Sequence, residues 1–184
     1  MKPTEELVQE HNAIKRMLQI LEAASRRIEA AERVDPEHLE QMVEFIRVFA
    51  DRCHHGKEED LLFGALEEAG IPREGGPIGV MLIEHEQGRK YVQGMAQAIA
   101  AYRAGDDSAR SQIVENARGY VALLRQHIHK EDHILYPLAD RHLSAAKQAE
   151  LTEAFAQVEQ ERIGPGRHEA FHALLDQLES IYLA

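Results

Sequence analysis

The chain has few of the residues that staple or anchor small proteins. Among 184 residues there is one cysteine (Cys53), no tryptophan, and only 5% Phe, Trp and Tyr together. A lone cysteine excludes an internal disulfide and predicts a reducing, cytoplasmic setting. No stretch approaches the roughly 18 uninterrupted apolar residues of a membrane span, and the opening MKPTEELVQEHN lacks the apolar core of a signal peptide. A soluble, unprocessed protein with no membrane association is expected. Basic residues are outnumbered: 21 Lys and Arg against 32 Asp and Glu give a net charge of −11. That field repels a polyanion, so nucleic acid is not an expected partner, and nothing points to a particular protein partner. What is abundant is Ala, Leu, Glu, Gln and Arg, the strong helix formers, together with eleven histidines.

Half of the glycines, and every proline but Pro137, fall between segments of helical period or at their starts. Residues 4–32 predict a first helix with Thr4 as its N-cap. Leu7, His11, Ile14, Leu18 and Leu21 recur there at 4-3-4-3 spacing, a bundle seam containing one histidine. Asp35-Pro36 predicts the cap and first residue of a second helix, ending near Ala69 before Gly70. A third is expected over 77–104 and a fourth over 107–140, after the Gly105-Asp106 stop and restart. Two shorter helices, 144–162 and 167–183, flank Gly164-Pro165-Gly166. No segment alternates with period two. The expected architecture is all-α: an up-down-up-down four-helix bundle over residues 1–142, with a C-terminal helical extension, 143–184, packed on it within the same domain.

An internal repeat carries the chemistry. His54-His55-Gly56-Lys57-Glu58-Glu59-Asp60-Leu61-Leu62-Phe63 aligns with His127-Ile128-His129-Lys130-Glu131-Asp132-His133-Ile134-Leu135-Tyr136 at an offset of 73, and Glu10-His11 aligns with Glu84-His85 at 74. Each half thus supplies one histidine, then a histidine and a glutamate four apart. Positions i and i+4 share a helix face, about 40° apart on an ideal helix. His54 and Glu58 therefore point the way Val43, Ala50 and Leu61 point, and His127 and Glu131 the way Leu124 and Leu135 point. His55 and Glu59 lie about 100° off that face, and Asp132 about 100° from Glu131. On this reading Asp132 is a marginal candidate, and His55 is solvated along with His38, His129, His133 and His142. Cys53 reads as a small buried thiol, and Tyr136 and Phe63 as packing residues.

Six side chains, His11, His54, Glu58, His85, His127 and Glu131, thus converge on one interior. Buried carboxylates without partners cost several kcal/mol each, so a cation is expected among them. Imidazole and carboxylate together suit Fe, Mn or Zn, and six donors exceed one tetrahedral zinc site. Two metals fit, with the carboxylates bridging and each metal holding two histidines. Coordination positions are then left for a small molecule.

The order His11, His54-x3-Glu58, His85, His127-x3-Glu131 resembles the hemerythrin-like, HHE cation-binding family over roughly residues 5–140. The resemblance implies a four-helix bundle holding two iron ions bridged by Glu58 and Glu131. It also implies functions ranging over dioxygen binding, oxygen or iron sensing, response to nitric oxide or peroxide, and repair of iron centres. Oxygen-carrying members place a fifth histidine four residues after the one on the third helix. Arg89 stands there instead, as a surface side chain or one that ties down a carboxylate. The four-His, two-Glu set is similar to that of the bacterial iron-centre repair branch, whose cysteine-bearing domain these 184 residues do not include. Gly64 replaces a proline common in the second-helix motif, which Pro137 keeps in the other copy. His168 and His172, four apart after Gly-Pro-Gly, make His168 a candidate for the fifth imidazole. A binding or sensing protein and a di-iron oxidoreductase acting on peroxide or O2 are both compatible with this set.

Overall fold

Helix starts are set by proline and by short polar caps. In the computed structural model, which describes all 184 residues, α1 spans Pro3–Glu29. It begins at Pro3 rather than after a Thr4 cap, because the proline ring already fixes the first helical φ. Thr4 lies inside the first turn and donates its hydroxyl to Asp140 Oδ1 at 2.7 Å. The carboxylate of Asp35 accepts from Glu37 N at 2.9 Å and opens α2 (residues 36–68). Gly70, at φ +93°, turns the chain out of it. α3 is Pro77–Arg103. Asp106 caps a short 3-10 turn, Asp107–Ala109, that leads into α4 (residues 110–142). Ser144 caps α5 (Ala145–Arg162), and Gly164 and Gly166, both at positive φ, bend the chain into α6 (Arg167–Tyr182).

Short loops force neighbouring helices antiparallel, and α1 to α4 close an up-down-up-down ring. α5 lies over the seam between α1 and α2, and α6 runs along α1. There Arg16 is bound to Glu179 at 2.7 and 2.8 Å and to Asp176 at 2.5 Å. No helix is long and apolar enough to cross a membrane.

The interior is not one continuous apolar core. A larger cluster surrounds Met17, Leu21, Phe45, Met95 and Ala117. A smaller one surrounds Leu7, Phe63, Leu66, Ile78 and Phe155. Between them lies a belt of buried histidine, glutamate and lysine. At this belt α2 and α4 depart from α-geometry. Wide, π-type turns occupy Ile46–His55 and Glu58–Leu62 in α2 and Glu131–Leu135 in α4. Such i→i+5 turns are characteristic of functional positions in helices, and they change which residues face inward.

Candidate metal centre

The belt contains all six side chains singled out by the repeat, each no more than 2% exposed. α1 presents His11, α2 His54 and Glu58, α3 His85, and α4 His127 and Glu131. They form two groups. Donor atoms of His11, His54 and Glu131 lie within 4.8 Å of one another, as do those of His55, Glu58, His85 and His127. The carboxylates link the groups. Glu58 Oε2 is 3.3 Å from His85 Nε2 and 3.9 Å from His54 Nε2. Glu131 reaches His127 Nε2 at 2.9 Å through one oxygen and His11 Nε2 at 3.1 Å through the other.

Every one of these four imidazoles is held from behind by a carboxylate on Nδ1. His54 meets Glu10 at 2.8 Å and His127 meets Glu84 at 2.8 Å, a brace within each half of the repeat. His85 meets Glu59 at 2.6 Å and His11 meets Asp132 at 2.6 Å, braces that cross from one half to the other. The braces are themselves tethered in matched fashion. Lys57 bonds Glu10 at 2.5 Å and Lys130 bonds Glu84; Lys15 bonds Asp132 at 3.0 Å and Arg89 bonds Glu59 at 2.8 Å. Arg89 is the repeat counterpart of Lys15, so a cation follows the odd-helix histidine by four residues in both halves. An ionised carboxylate only accepts, so each Nδ1 carries the proton and each Nε2 turns a lone pair inward.

That inward arrangement is what a cation requires. Nε2 of His85 and His127 approach to 3.1 Å, a contact that two lone pairs cannot share without a proton or a metal between them. His54 Nε2, Glu58 Oε2 and Glu131 Oε1 are buried and have no hydrogen-bond partner in the protein. Buried polar atoms are almost always satisfied, and three unsatisfied ones in the same buried belt fit bound cations. Protons compete for the same lone pairs. Burial works against charge on His11, but its bonds to Asp132 and Glu131 outweigh it and raise its pKa to about 9. For His127 burial is likewise overcome, by the negative charge of Glu131 2.9 Å away and by Glu84, giving about 10.

Four side chains differ from the sequence expectation. His55, expected in solvent, is 5% exposed, and its ring stacks on His85 at 3.9 Å between centroids. The ideal-helix rotation fails because α2 winds with more than four residues per turn here. Burial and the neighbouring His85 hold its pKa well below the usual imidazole value. Tyr136, expected to be packing, is buried and brings its hydroxyl to the centre, donating to Glu58 Oε1 at 2.7 Å and lying 3.3 Å from His11 Nε2. The repeat held a signal, since the matched residue is Phe63 and only the hydroxyl differs. Glu59, which the same rotation placed off the face, braces His85. His168 does not reach the centre. It lies 3.6 Å from Glu159 with its side chain 39% exposed, because the Gly-Pro-Gly bend starts α6 over Phe49.

Asp132 and Arg89 lie behind the inward donors, Asp132 on His11 and Arg89 on Glu59 and Asp51. His129, His133 and His142 are exposed, while His38 is half-buried against the Tyr182 hydroxyl at 2.9 Å. Cys53 is buried beside the centre, and burial pushes its thiol up to about 12. A cleft of about 210 Å³ between α2 and α3 leads from solvent to His55 and His85, past Arg47, Arg89, Gly88 and Tyr120.

The chain resembles uncharacterised proteins of Mycobacterium tuberculosis and Mycobacterium bovis, at 27% identity over 177 residues. The similarity spans 96% of this chain and 68% of those proteins. No solved structure matches. The sequence profile of the hemerythrin HHE cation-binding domain matches residues 2–139, the stretch that forms the four-helix ring and supplies every inward-facing donor. With three-quarters of its length matched in this way, the chain belongs to the hemerythrin HHE cation-binding domain family.

Proposed function

We propose that the protein holds two iron ions among the four helices α1 to α4 and binds a small oxidant or gas (O2, NO or peroxide) in oxygen or iron sensing or a stress response. The observation that carries this reading is the set of three unpartnered buried atoms, His54 Nε2, Glu58 Oε2 and Glu131 Oε1, facing the same interior. Glu58 and Glu131 each face one histidine from either group, the placement a bridging carboxylate needs. An iron pair, when bound, supplies one-electron redox chemistry and open coordination positions. The surrounding residues do the rest. Carboxylate braces fix the ring orientation and raise the basicity of each imidazole, and two apolar clusters exclude water from either end. The cleft beside His55 and His85 gives a small molecule its approach.

The test is metal analysis and an absorption spectrum of aerobically purified protein, followed by reduction and addition of NO. Two irons per chain, with charge-transfer bands that NO changes, support the reading. A stoichiometry below two, or a spectrum that NO leaves unmoved, overturns it; two manganese or zinc ions would keep the site and replace the metal. Catalytic turnover of peroxide is the second reading. It is favoured by the Tyr136 phenol, whose hydroxyl oxygen lies 2.7 Å from Glu58 Oε1 and donates its proton to it at the centre. Sustained oxygen evolution from added peroxide separates it from a single spectral change.

A further inference from the structure

His55 has no counterpart in the second half of the repeat. The aligned residue is Ile128, which packs in the larger apolar cluster. Yet His55 has every feature of the four braced histidines. It is buried, its Nδ1 faces Asp51 Oδ1 at 3.2 Å, and Asp51 is tethered by Arg89 Nε at 3.0 and 3.1 Å. Its remaining nitrogen is therefore its free donor. That donor falls in the same group, within 4.8 Å, as those of Glu58, His85 and His127. The ring lies 19° from parallel with His85 and edge-on to His127, which fixes it at the inner end of the cleft. The cause is local. Wide turns in α2 begin at Ile46, before the histidines, whereas α4 stays α-helical through Lys130.

We infer that His55 is a fifth imidazole ligand, donated to the metal held by His85 and His127, and that the two metal positions are consequently inequivalent. This rests on the two-metal reading above. The position on the His85 side has three histidines and lies at the cleft. The position on the His11 side has two histidines and the Tyr136 hydroxyl. The more open metal is then the one farther from the cleft mouth. A small molecule entering past Arg89 meets the His55 ring before it meets a metal.

The experiment uses cobalt(II) as the probe, titrated into the metal-free full chain. Wild type, His55→Phe and His55→Gln are compared; phenylalanine keeps a ring against His85 without a donor nitrogen. Wild type is expected to bind two ions, and both variants to bind the first normally and the second at least about tenfold more weakly. In wild type the proton spectrum of the cobalt protein should hold five paramagnetically shifted, exchangeable imidazole N–H signals, with four in either variant. The wild-type count stands even if a variant fails to fold. Two equally tight ions in both variants with an unchanged visible spectrum, or four shifted signals in wild type, would overturn the role of His55 while leaving the two-metal reading intact. Fewer than two ions in wild type would overturn both.

Discussion

Stripping the metal should lower the melting temperature by roughly 10–20 °C. Two lines of arithmetic converge on that size. A ligand that binds only the native state at a free concentration of 100 times its Kd stabilises it by about 2.7 kcal/mol, so two ions contribute roughly 5 kcal/mol. The structure gives an independent bound: three buried polar atoms at the centre lack protein partners, and each such atom costs about 1–3 kcal/mol when unsatisfied. For a chain of this length 1 kcal/mol moves the melting point by roughly 2–4 °C. Differential scanning calorimetry of chelated protein, before and after restoring Fe(II) or Mn(II) anaerobically at rising concentrations, measures the effect directly. The midpoint should climb with free metal by the logarithmic law of linkage. An apo midpoint equal to that of the loaded protein, or a rise produced equally by Mg(II), would refute the reasoning. Magnesium prefers oxygen ligands and octahedral water, and gains little from an imidazole-rich site.

The proton competition has a definite sign. In the metal-free protein the raised pKa values of His11 (about 9) and His127 (about 10) contribute stability that is complete below the unfolded value of about 6.5. That contribution is lost as pH rises through 9–10, so the gap in melting temperature between loaded and metal-free protein should widen from pH 7 to pH 10. A gap that narrows contradicts the assignment. At pH 7 metal loading should also release protons, detectable as a buffer-dependent heat of binding. Glu58→Gln combined with Glu131→Gln should abolish two-metal stoichiometry, as read by metal analysis after dialysis. Lys57 is fully buried between Glu6 and Glu10, under Phe155 of α5. Replacing it with Met leaves Glu10 short of its cation and should cost about 3 kcal/mol in urea unfolding; a loss under about 0.5 kcal/mol would show that the pair is idle. Arg89→Met should weaken metal binding by about 10–100-fold through the freed Glu59 and Asp51, with little change in the metal-free melting point.

How much of this was legible beforehand varies with the physics involved. The helix order and the six inward donors follow from periodicity and from the repeat, because i, i+4 spacing and apolar seams survive small changes in winding. The wide turns do not follow, since no residue type marks an i→i+5 bond. Ideal-helix rotation therefore puts His55 on the wrong face, whereas Glu59 does lie off the donor face, behind His85. Two of the braces stand in the sequence as Glu10-His11 and Glu84-His85, repeated at the 74-residue offset of His11 and His85. Their role needed the third dimension, because Glu10 serves not its neighbour but His54. His168 had metal-competent spacing and no such geometry, since nothing in its sequence context fixes where a helix following Gly-Pro-Gly will lie.

The crossed pair of braces bears on ancestry. Asp132 from the second hairpin steadies His11 of the first, and Glu59 from the first steadies His85 of the second. A solitary hairpin would keep one imidazole oriented and leave the other swinging. If a single hairpin preceded the doubled gene, it had to work as a twofold dimer in which each copy steadied the other's ring. Fusing two copies into one chain would then free their sequences to diverge, and the halves differ in the interior at His55 opposite Ile128 and at Tyr136 opposite Phe63.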